Sequence, residues 1–200
     1  ILAFFLLALA IRLVFLILIF PEDPHWDSYH NWQISYFTLK IGLQHGRMWD
    51  LNGMEYIWGI LPQLTETFLM GILNTSSILP FRILNITLSS FAASIIYLLG
   101  KKYFSEKAGL YSALFFAIFP LFVVYNVLAL SETMAIFFIV CALYVFDKNR
   151  FFSGLFLALA SQCRVELWLV TFAFCIYCLI YERSVTNFVP TIAGWLTVIL

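Results

Sequence analysis

Long runs of apolar residues separated by short polar connectors dominate the chain. Residues 1–20 are apolar apart from Arg12. Roughly 20 apolar residues can cross a bilayer as a helix, because each helical residue adds about 1.5 Å. After a mixed segment at 21–79, apolar runs follow at about 80–100, 108–128, 131–146, 151–163, 167–181 and 188–200. The pattern predicts an all-α polytopic membrane protein with a first span at 1–20 and about six further spans within 80–200.

The composition agrees with this pattern. Hydrophobic residues make up 63% of the chain and charged residues 11%, compared with roughly 25% charged residues in soluble domains. The formal net charge is zero, so no nucleic-acid partner is expected. The chain starts at Ile1 and ends inside an apolar run. We therefore expect residues 1–200 to be part of a single transmembrane domain in a longer protein.

Basic residues in the short connectors predict the orientation. The connectors at 101–107, 147–150 and 181–183 each contain lysine or arginine, and such connectors lie on the cytoplasmic side of membranes. Alternation of the spans then places three other segments on the opposite side: the 21–79 loop, the corner at 130–132 and the turn at 162–166. These segments contain most of the remaining acids.

The 21–79 segment has a helical pattern of aromatic residues. Large apolar side chains recur at steps of three and four at Trp26, Tyr29, Trp32, Tyr36 and Leu39, the period of an amphipathic helix. Trp and Tyr favour the headgroup zone of a membrane. We predict one or two interfacial helices in this first outer loop, joined through residues 42–53 and broken near Pro62. The alternative is a small outer cap without a role.

The segment 148–181 is too short for two full spans. Cytoplasmic charges bracket about 34 residues, whereas two spans need about 40. The turn at 161–166 should therefore be recessed below the outer surface. Charge and irregular backbone at membrane depth are tolerated only inside protein or around a cavity, so this hairpin is predicted to line a pocket.

Asp27 is the leading candidate for a general base. It begins a helical turn just outside the first span, next to Trp26 and close to His30. Partial burial of a carboxylate by aromatic neighbours suits a group that takes a proton from a hydroxyl. Glu22 and Asp23 could substitute for it, but we interpret them as solvated acids.

Glu132 and Arg164 are the other candidates on the same side. An acid in the first turn of a helix capped by Ser131 is ordinary helix stabilisation, but Glu132 would also face the compartment of Asp27. The planar guanidinium of Arg164 suits a phosphate. The alternative is that Arg164 and Glu166 only neutralise each other.

Other candidate chemistry is weaker. Arg82, at the start of the second span, and Arg12, inside the first, could also meet a phosphate. No cofactor is required. The three histidines with the nearby acids offer a divalent metal site as the less favoured alternative, because their spacing matches no recognised metal site. The chain has no motif of a hydrolase, an ATPase or a protease.

Four stretches resemble a known superfamily. They are 82–85, 97–104, 119–120 and 129–133, and they resemble the GT-C membrane glycosyltransferases, in particular the protein O-mannosyltransferase-like and lipid A aminoarabinose-transferase-like branch. The resemblance covers about residues 12–170. It implies a GT-C-like helix bundle, a polyprenyl-phosphate sugar donor and a site in the first outer loop. Asp27, Tyr29 and Gly42 match the acid, aromatic and glycine of that site, while Ser28 replaces a second acid.

Together the residues and the resemblance predict a glycosyltransferase. It would move a hexosyl, mannosyl or related sugar from a polyprenyl-phosphate donor to an acceptor hydroxyl on the non-cytoplasmic face, with inversion. The predicted roles are the base for Asp27, acceptor or sugar orientation for Glu132, Tyr29 and His30, and donor phosphate binding for Arg164 and Arg82. The acceptor would be a lipid, a glycan or a protein, and the other partners membrane lipids.

We expect a multi-pass protein of a prokaryotic plasma membrane or of the endoplasmic reticulum. Two other functions remain open. A transporter or flippase for a lipid or sugar would use the same buried charges along a path, but the internal repeats expected of many transporters are not found. A non-catalytic subunit of a membrane complex is the third interpretation.

Overall fold

The computed structural model describes residues 1–43, residue 48 and residues 59–182. Regular structure in this part of the chain is helical throughout, which confirms the all-α prediction. In chain order the helices are α1 (Leu2–Leu18), α2 (Trp26–Ile41), α3 (Ile60–Leu73), α4 (Leu79–Tyr103), α5 (Glu106–Ile118), α6 (Pro120–Val127), α7 (Ser131–Val145), α8 (Arg150–Ser161) and α9 (Trp168–Tyr177). A 3₁₀ turn, Val165–Leu167, precedes α9, and a π-helical turn, Cys178–Glu182, follows it. The predicted connection at 42–53, for the most part, and the predicted run at 188–200 lie outside the described residues.

Helix lengths support fewer membrane spans than the apolar runs predict. Among the described helices, α4 alone is long and apolar enough to cross a membrane, with 25 residues and a mean hydropathy of 1.7. Helices α5 and α6 qualify together as one broken span, bent by 57°. The first predicted span is a helix of 17 residues, and α7 and α8 have 15 and 12. The described structure thus supports one span, or two with the bent pair, and the larger number stays a prediction.

The predicted run at 108–128 breaks at Pro120. Proline has no amide hydrogen, so it suits the first position of α6, and it favours extended backbone at the preceding residue. Phe119 is extended accordingly, with ψ 123°. The buried guanidinium of Arg12 donates to the carbonyl oxygens of Phe116, at 3.2 Å, and Ala117, at 3.5 Å. Arg12 therefore satisfies the end of α5 and is not placed to meet a phosphate.

Helix α4 lies at the centre of the bundle and packs against α1, α5 and α7. A buried cluster joins these elements through Ala8, Ala92, Ala93, Phe116, Ala117 and Val140. Small side chains let the helices approach closely. At the α4–α5 crossing, a Cβ on Gly100 would lie 2.5 Å from the Gly109 Cα atom, so this crossing requires glycine.

Helices α2 and α3 lie in the segment 21–79, where one or two helices are predicted. The sequence predicts that the aromatic residues of α2 form its apolar face, but they are not the side that packs on α3. The large side chains of α2 point outward: Tyr29 stacks on Trp32, and Trp32 stacks on Tyr36, with ring centroids 5.4 and 5.2 Å apart. The face towards α3 is buried and mostly polar, with Ser28, Asn31, Ile34, Ser35 and Thr38. The predicted break near Pro62 is wrong, because Pro62 lies in the first turn of α3, where proline needs no amide partner.

Candidate functional site

A buried corner between α6 and α7 positions Glu132. Residues 128–130 are fully covered, so their backbone carbonyls need partners inside the protein. The Asn85 side-chain amide donates to Leu128 O and Leu130 O, both at 2.9 Å. Arg82 Nε donates to Val127 O at 2.9 Å. Helix α4 thus holds the corner from which α7 begins.

Asp23 connects this corner to the start of α2. Its side chain is 3% exposed, and its Oδ2 accepts a hydrogen bond of 2.7 Å from Ala129 N. Its Oδ1 accepts from His25 N at 3.1 Å, and His25 Nδ1 in turn accepts from Asp27 N at 3.2 Å. The first turn of α2, with Asp27, is therefore fixed against the α6–α7 corner.

The interpretation of Asp23 as a solvated acid is wrong. The carboxylate is buried 3.9 Å from Arg82 Nε and bonded to backbone. One sequence signal could have indicated part of this role. An aspartate between two prolines favours a turn in which its side chain bonds the backbone two residues on, as Asp23 does with His25.

The turn after α8 is anchored by the residues that lead into α3. Gly59 N donates to Cys163 O at 3.2 Å, and Leu61 N donates to Gln162 O at 3.1 Å. A Cβ on Gly59 would lie 1.8 Å from Gln162 O, so only glycine fits. Residues 161–163 are buried. This pairing fixes the backbone immediately before Arg164.

Arg164 gathers the carboxylates into one cluster. Its Nη1 donates to Glu132 Oε1 in a short contact. Its Nε and Nη2 donate to the two carboxylate oxygens of Glu166 at 3.2 and 2.8 Å. The hydrogen bonds to Glu166, followed by the charges of Glu132 and Asp27, raise the pKa of Arg164. We call Asp27, Glu132, Arg164 and Glu166 the acidic cluster.

The acidic cluster brings together three predicted residues from α2, α7 and the α8–α9 turn. The carboxylates of Glu132 and Glu166 contact the guanidinium, and the charge of Asp27 also acts on it, so the cluster has a formal excess of two negative charges when all are ionised. The side chain of Arg164 is 24% exposed and that of Glu166 is 57% exposed. The Arg164–Glu166 pairing considered from the sequence is present, but Glu166 is solvated enough to exchange for another anion.

Other details of the predicted site differ. Ser131 is the first residue of α7 and does not cap it, because the N-cap is Leu130. Its hydroxyl lies 3.3 Å from Glu132 Oε2 instead. Tyr29 is on the outward face of α2, stacked on Trp32. His30 is half-buried, three residues after Asp27. The roles predicted for Tyr29 and His30 stay predictions.

Arg82 is not placed to bind a ligand. It is 1% exposed, and all three of its side-chain nitrogens donate to the backbone carbonyls of Val127, Pro21 and Phe20. This arrangement is a correction to its predicted contact with the donor phosphate. The guanidinium instead ties the chain after α1 to the end of α6.

Sequence reasoning also missed a buried acid on α3. Glu66 is 1% exposed, and its Oε2 lies 3.1 Å from the Ser35 hydroxyl. Burial raises the pKa of Glu66 to about 8. The spacing of Ser28, Asn31 and Ser35 at steps of three and four indicates a polar face on α2, which could have suggested a polar partner on α3.

A comparison with known families shows to which family this helical chain belongs. Residues 59–200 match the family model described as dolichyl-phosphate-mannose-protein mannosyltransferase. The chain belongs to this family. The match with the mannosyltransferase family includes Glu132 and Arg164, while Asp27 precedes it. Searches of curated proteins and of solved structures return no match.

Membership of the mannosyltransferase family confirms the predicted GT-C type and the predicted class of enzyme, a glycosyltransferase. Proteins of this family are membrane proteins. The narrower branch, with its aminoarabinose-transferase-like members, stays a prediction. Among the residues that the structure describes, no group of three His, Cys, Asp or Glu side chains could hold a metal ion.

Proposed function

We propose that the protein transfers a mannosyl or related sugar from a polyprenyl-phosphate donor to an acceptor hydroxyl on the non-cytoplasmic face of a membrane, with inversion. The observation that supports this is the acidic cluster. Asp27, Glu132 and Arg164 are far apart in the chain, yet Arg164 contacts Glu132, and the charge of Asp27 contributes to the raised pKa of Arg164. The family name supplies the donor, a dolichyl-phosphate-linked mannose.

Asp27 is the base in this proposal. Its carboxylate takes the proton of the acceptor hydroxyl, and the acceptor oxygen attacks the anomeric carbon of the sugar. The bond between that carbon and the phosphate oxygen breaks, and its electron pair leaves with the lipid phosphate. The phosphate needs no proton to leave, so one base is sufficient.

Arg164 receives the donor phosphate. A guanidinium can bind a phosphate through two parallel hydrogen bonds, and the phosphate displaces the exposed Glu166 from this position. Glu132 keeps its contact with Arg164 and orients an acceptor or sugar hydroxyl. Arg82 is left out because its nitrogens are bound to backbone carbonyls.

Charge distribution supports the non-cytoplasmic location. Lys101, Lys102, Lys148 and Arg150 lie where α4 ends and where α7 and α8 meet, the end that the positive-inside rule assigns to the cytoplasm. The acidic cluster is at the opposite ends of α7 and α8.

Replacement of Asp27 by Asn tests the base. D27N keeps the shape of the side chain but cannot accept the proton, so turnover should fall by about 10²–10⁴-fold, the usual contribution of general base catalysis. The assay is sugar transfer by the purified protein, together with donor binding, which should remain. D147N makes the same change at the exposed Asp147 on the opposite end and should transfer normally. Near wild-type turnover by D27N would overturn the assignment.

The same assay separates the enzyme from its rivals. In detergent there are no compartments, so a transporter or flippase would form no glycosylated product, and neither would a non-catalytic subunit.

Accessibility labelling tests the sidedness. The four native cysteines are buried, so a single new cysteine dominates the signal. Ser76 and Lys148 are exposed at opposite ends of the bundle. In intact cells or sealed vesicles, S76C should react with an impermeant maleimide from the non-cytoplasmic side and K148C should not. Reaction of K148C from that side would contradict the proposed orientation.

A further inference from the structure

Glu66 lies in the interface between α2 and α3. Helix α3 has 14 residues, or about 21 Å, which is too short to span a membrane. The helix also lies within the segment 21–79, which the sequence predicts to be the outer loop. The Glu66 side chain is nonetheless almost completely covered, and its Oε1 has no hydrogen-bond partner in the described structure. A carboxylate in such a place is costly when ionised, whereas a carboxylic acid is neutral.

Hydrogen-bond counting at Ser35 favours the neutral acid. The Ser35 Oγ atom has three acceptor oxygens around it: Asn31 O at 2.9 Å, Gln63 O at 3.1 Å and Glu66 Oε2 at 3.1 Å. A hydroxyl has only one proton to donate. If Glu66 is protonated, it donates to Ser35 Oγ, and Ser35 is free to donate to a backbone carbonyl.

The surroundings of Glu66 act in the same direction. Burial is the main cause that raises its pKa, to about 8, and the negative charge of Asp23 adds to it, while the bond with Ser35 acts in the opposite sense. From α2 the neighbouring groups are the neutral Asn31 and Ser35, and from α3 the neutral Gln63. Among the described residues, the charged group that acts on Glu66 is Asp23, from the α1–α2 connection.

This interface continues to the candidate base. The Gln63 side-chain amide donates to Asn31 Oδ1 at 2.9 Å, and Asn31 is one helical turn after Asp27. Ser28, next to Asp27, is also buried on this face. Polar bonds from α3 therefore hold Asn31 and Ser35, on the second and third turns of α2, and Asp27 is on the turn before them.

We propose that protonated Glu66 is a positioning residue for Asp27, which locks the middle of α2 onto α3 through Ser35. When Glu66 loses its proton this lock is lost, and, among the described residues, Asp27 is then held through Asp23 and His25 alone. This inference rests on the proposed role of Asp27, but its first consequence, the protonation of Glu66, does not. Ionised Glu66 places a second negative charge near Asp23 and leaves Ser35 as a donor to the carboxylate, so the bond between Ser35 and the backbone is lost.

Stability measures the protonation without any assumption about catalysis. An ordinary glutamate titrates near 4.5 and Glu66 near 8, so the folded protein binds one more proton than the unfolded chain between these values. This contribution is complete below about pH 4.5 and is lost as the pH rises towards 8. The isosteric E66Q variant has no such loss, so its Tm relative to wild type should rise from pH 5 to pH 8 and then level off.

Transfer activity measures the positioning. Wild-type kcat should fall about tenfold between pH 8 and pH 9.5. The donor KM should change little, because the backbone before Arg164 is held by residues 59–61 and not by α2. E66Q, whose amide donates to Ser35 at every pH, should not show this fall. E66L, which has no donor, should have low kcat at every pH. E106Q, at an exposed glutamate of α5, is the matched control and should keep the wild-type profile and the wild-type pH dependence of Tm.

The outcomes are distinguishable. A constant Tm difference between E66Q and wild type across pH 5 to 8 overturns the protonation of Glu66, whatever the activity. A Tm difference that changes as expected, with the same alkaline fall in both proteins, overturns the positioning role. Failure of the proposed function itself would appear as unimpaired transfer by D27N. If E66Q does not fold, S35A decides, because loss of the Ser35 hydroxyl removes the lock and kcat should be low at every pH. A wild-type kcat with the wild-type alkaline fall in S35A would overturn the positioning role.

Discussion

The two ends of the helix bundle handle charge differently. At the end with the basic connectors, Lys101 pairs with Glu106 at 3.2 Å and Lys102 with Asp147 at 2.8 Å. These groups are solvated; the Lys101 and Glu106 side chains are 50% and 71% exposed. At the other end, Asp23 and Arg82 are almost fully covered and bond to backbone from other elements.

The difference shows which end requires a fixed geometry. Exposed ion pairs are screened by water and stabilise little, and they tolerate alternative partners. Buried charges must be fully paired, and removal of one partner is costly. The bonds of Asp23, Arg82 and Asn85 join the α1–α2 and α6–α7 connections to helix α4 at defined positions. A site whose groups come from several helices requires such fixed positions.

The largest effect should come from Gly59. In G59A the new methyl group must displace the backbone at Gln162, so both α3 and the turn before Arg164 shift. Overpacking of this kind costs about 3 kcal/mol or more, which corresponds to a fall in Tm of about 6–12 °C for a chain of this size. Thermal unfolding in detergent measures it, and the donor KM should rise as well.

G71A is the control on the same helix. Among the described residues, a Cβ at Gly71 would meet Leu39 Cδ1 at 3.6 Å, an ordinary contact, so alanine should stabilise α3 by about 0.5–1 kcal/mol. Equal behaviour of G59A and G71A would mean that the pairing of residues 59–61 with the turn does not hold the site.

An intermediate effect is expected for Arg164. Loss of charge-assisted bonds worth about 1.5–3 kcal/mol should raise the donor KM about 10–100-fold in R164A, with a smaller change in kcat. R164K should recover only part of it, because an ammonium cannot form the paired bonds of a guanidinium. Donor titration under steady-state conditions gives both constants. A larger rise in the acceptor KM than in the donor KM would exclude the phosphate-binding role.

The smallest effect is expected at the opposite end. Glu106 is exposed and Lys101 lowers its pKa, so the stability from this pair is present above the normal glutamate pKa and is lost in acid. K101A should change Tm by about 2 °C or less at pH 7. A shift as large as that of G59A would show that the contrast between the two ends is wrong.

The sequence predicts the helical class and the grouping of the site, but only part of its construction. Helices α2 and α4 follow from aromatic spacing and from an apolar run, and alternation of spans places Asp27, Glu132 and Arg164 on one side without any contact information. The burial of Asp23 is not predictable in this way, because its partner, the amide of Ala129, is 106 residues away. The predicted phosphate contact of Arg82 is wrong for the same reason, because its hydrogen-bond acceptors lie at the ends of other helices.

The contact between Asp23 and Ala129 also has a consequence for synthesis of the protein. When α1 and α2 leave the ribosome, the amide that fixes Asp23 has not been made, and neither have Glu132 and Arg164. Helices α1 and α2 therefore lack this contact until residue 129 and the helices α7 and α8 have been synthesised. Because the bond between Asp23 and Ala129 can form only at that late step, a chain released before residue 129 carries the proposed base but not the corner that fixes it.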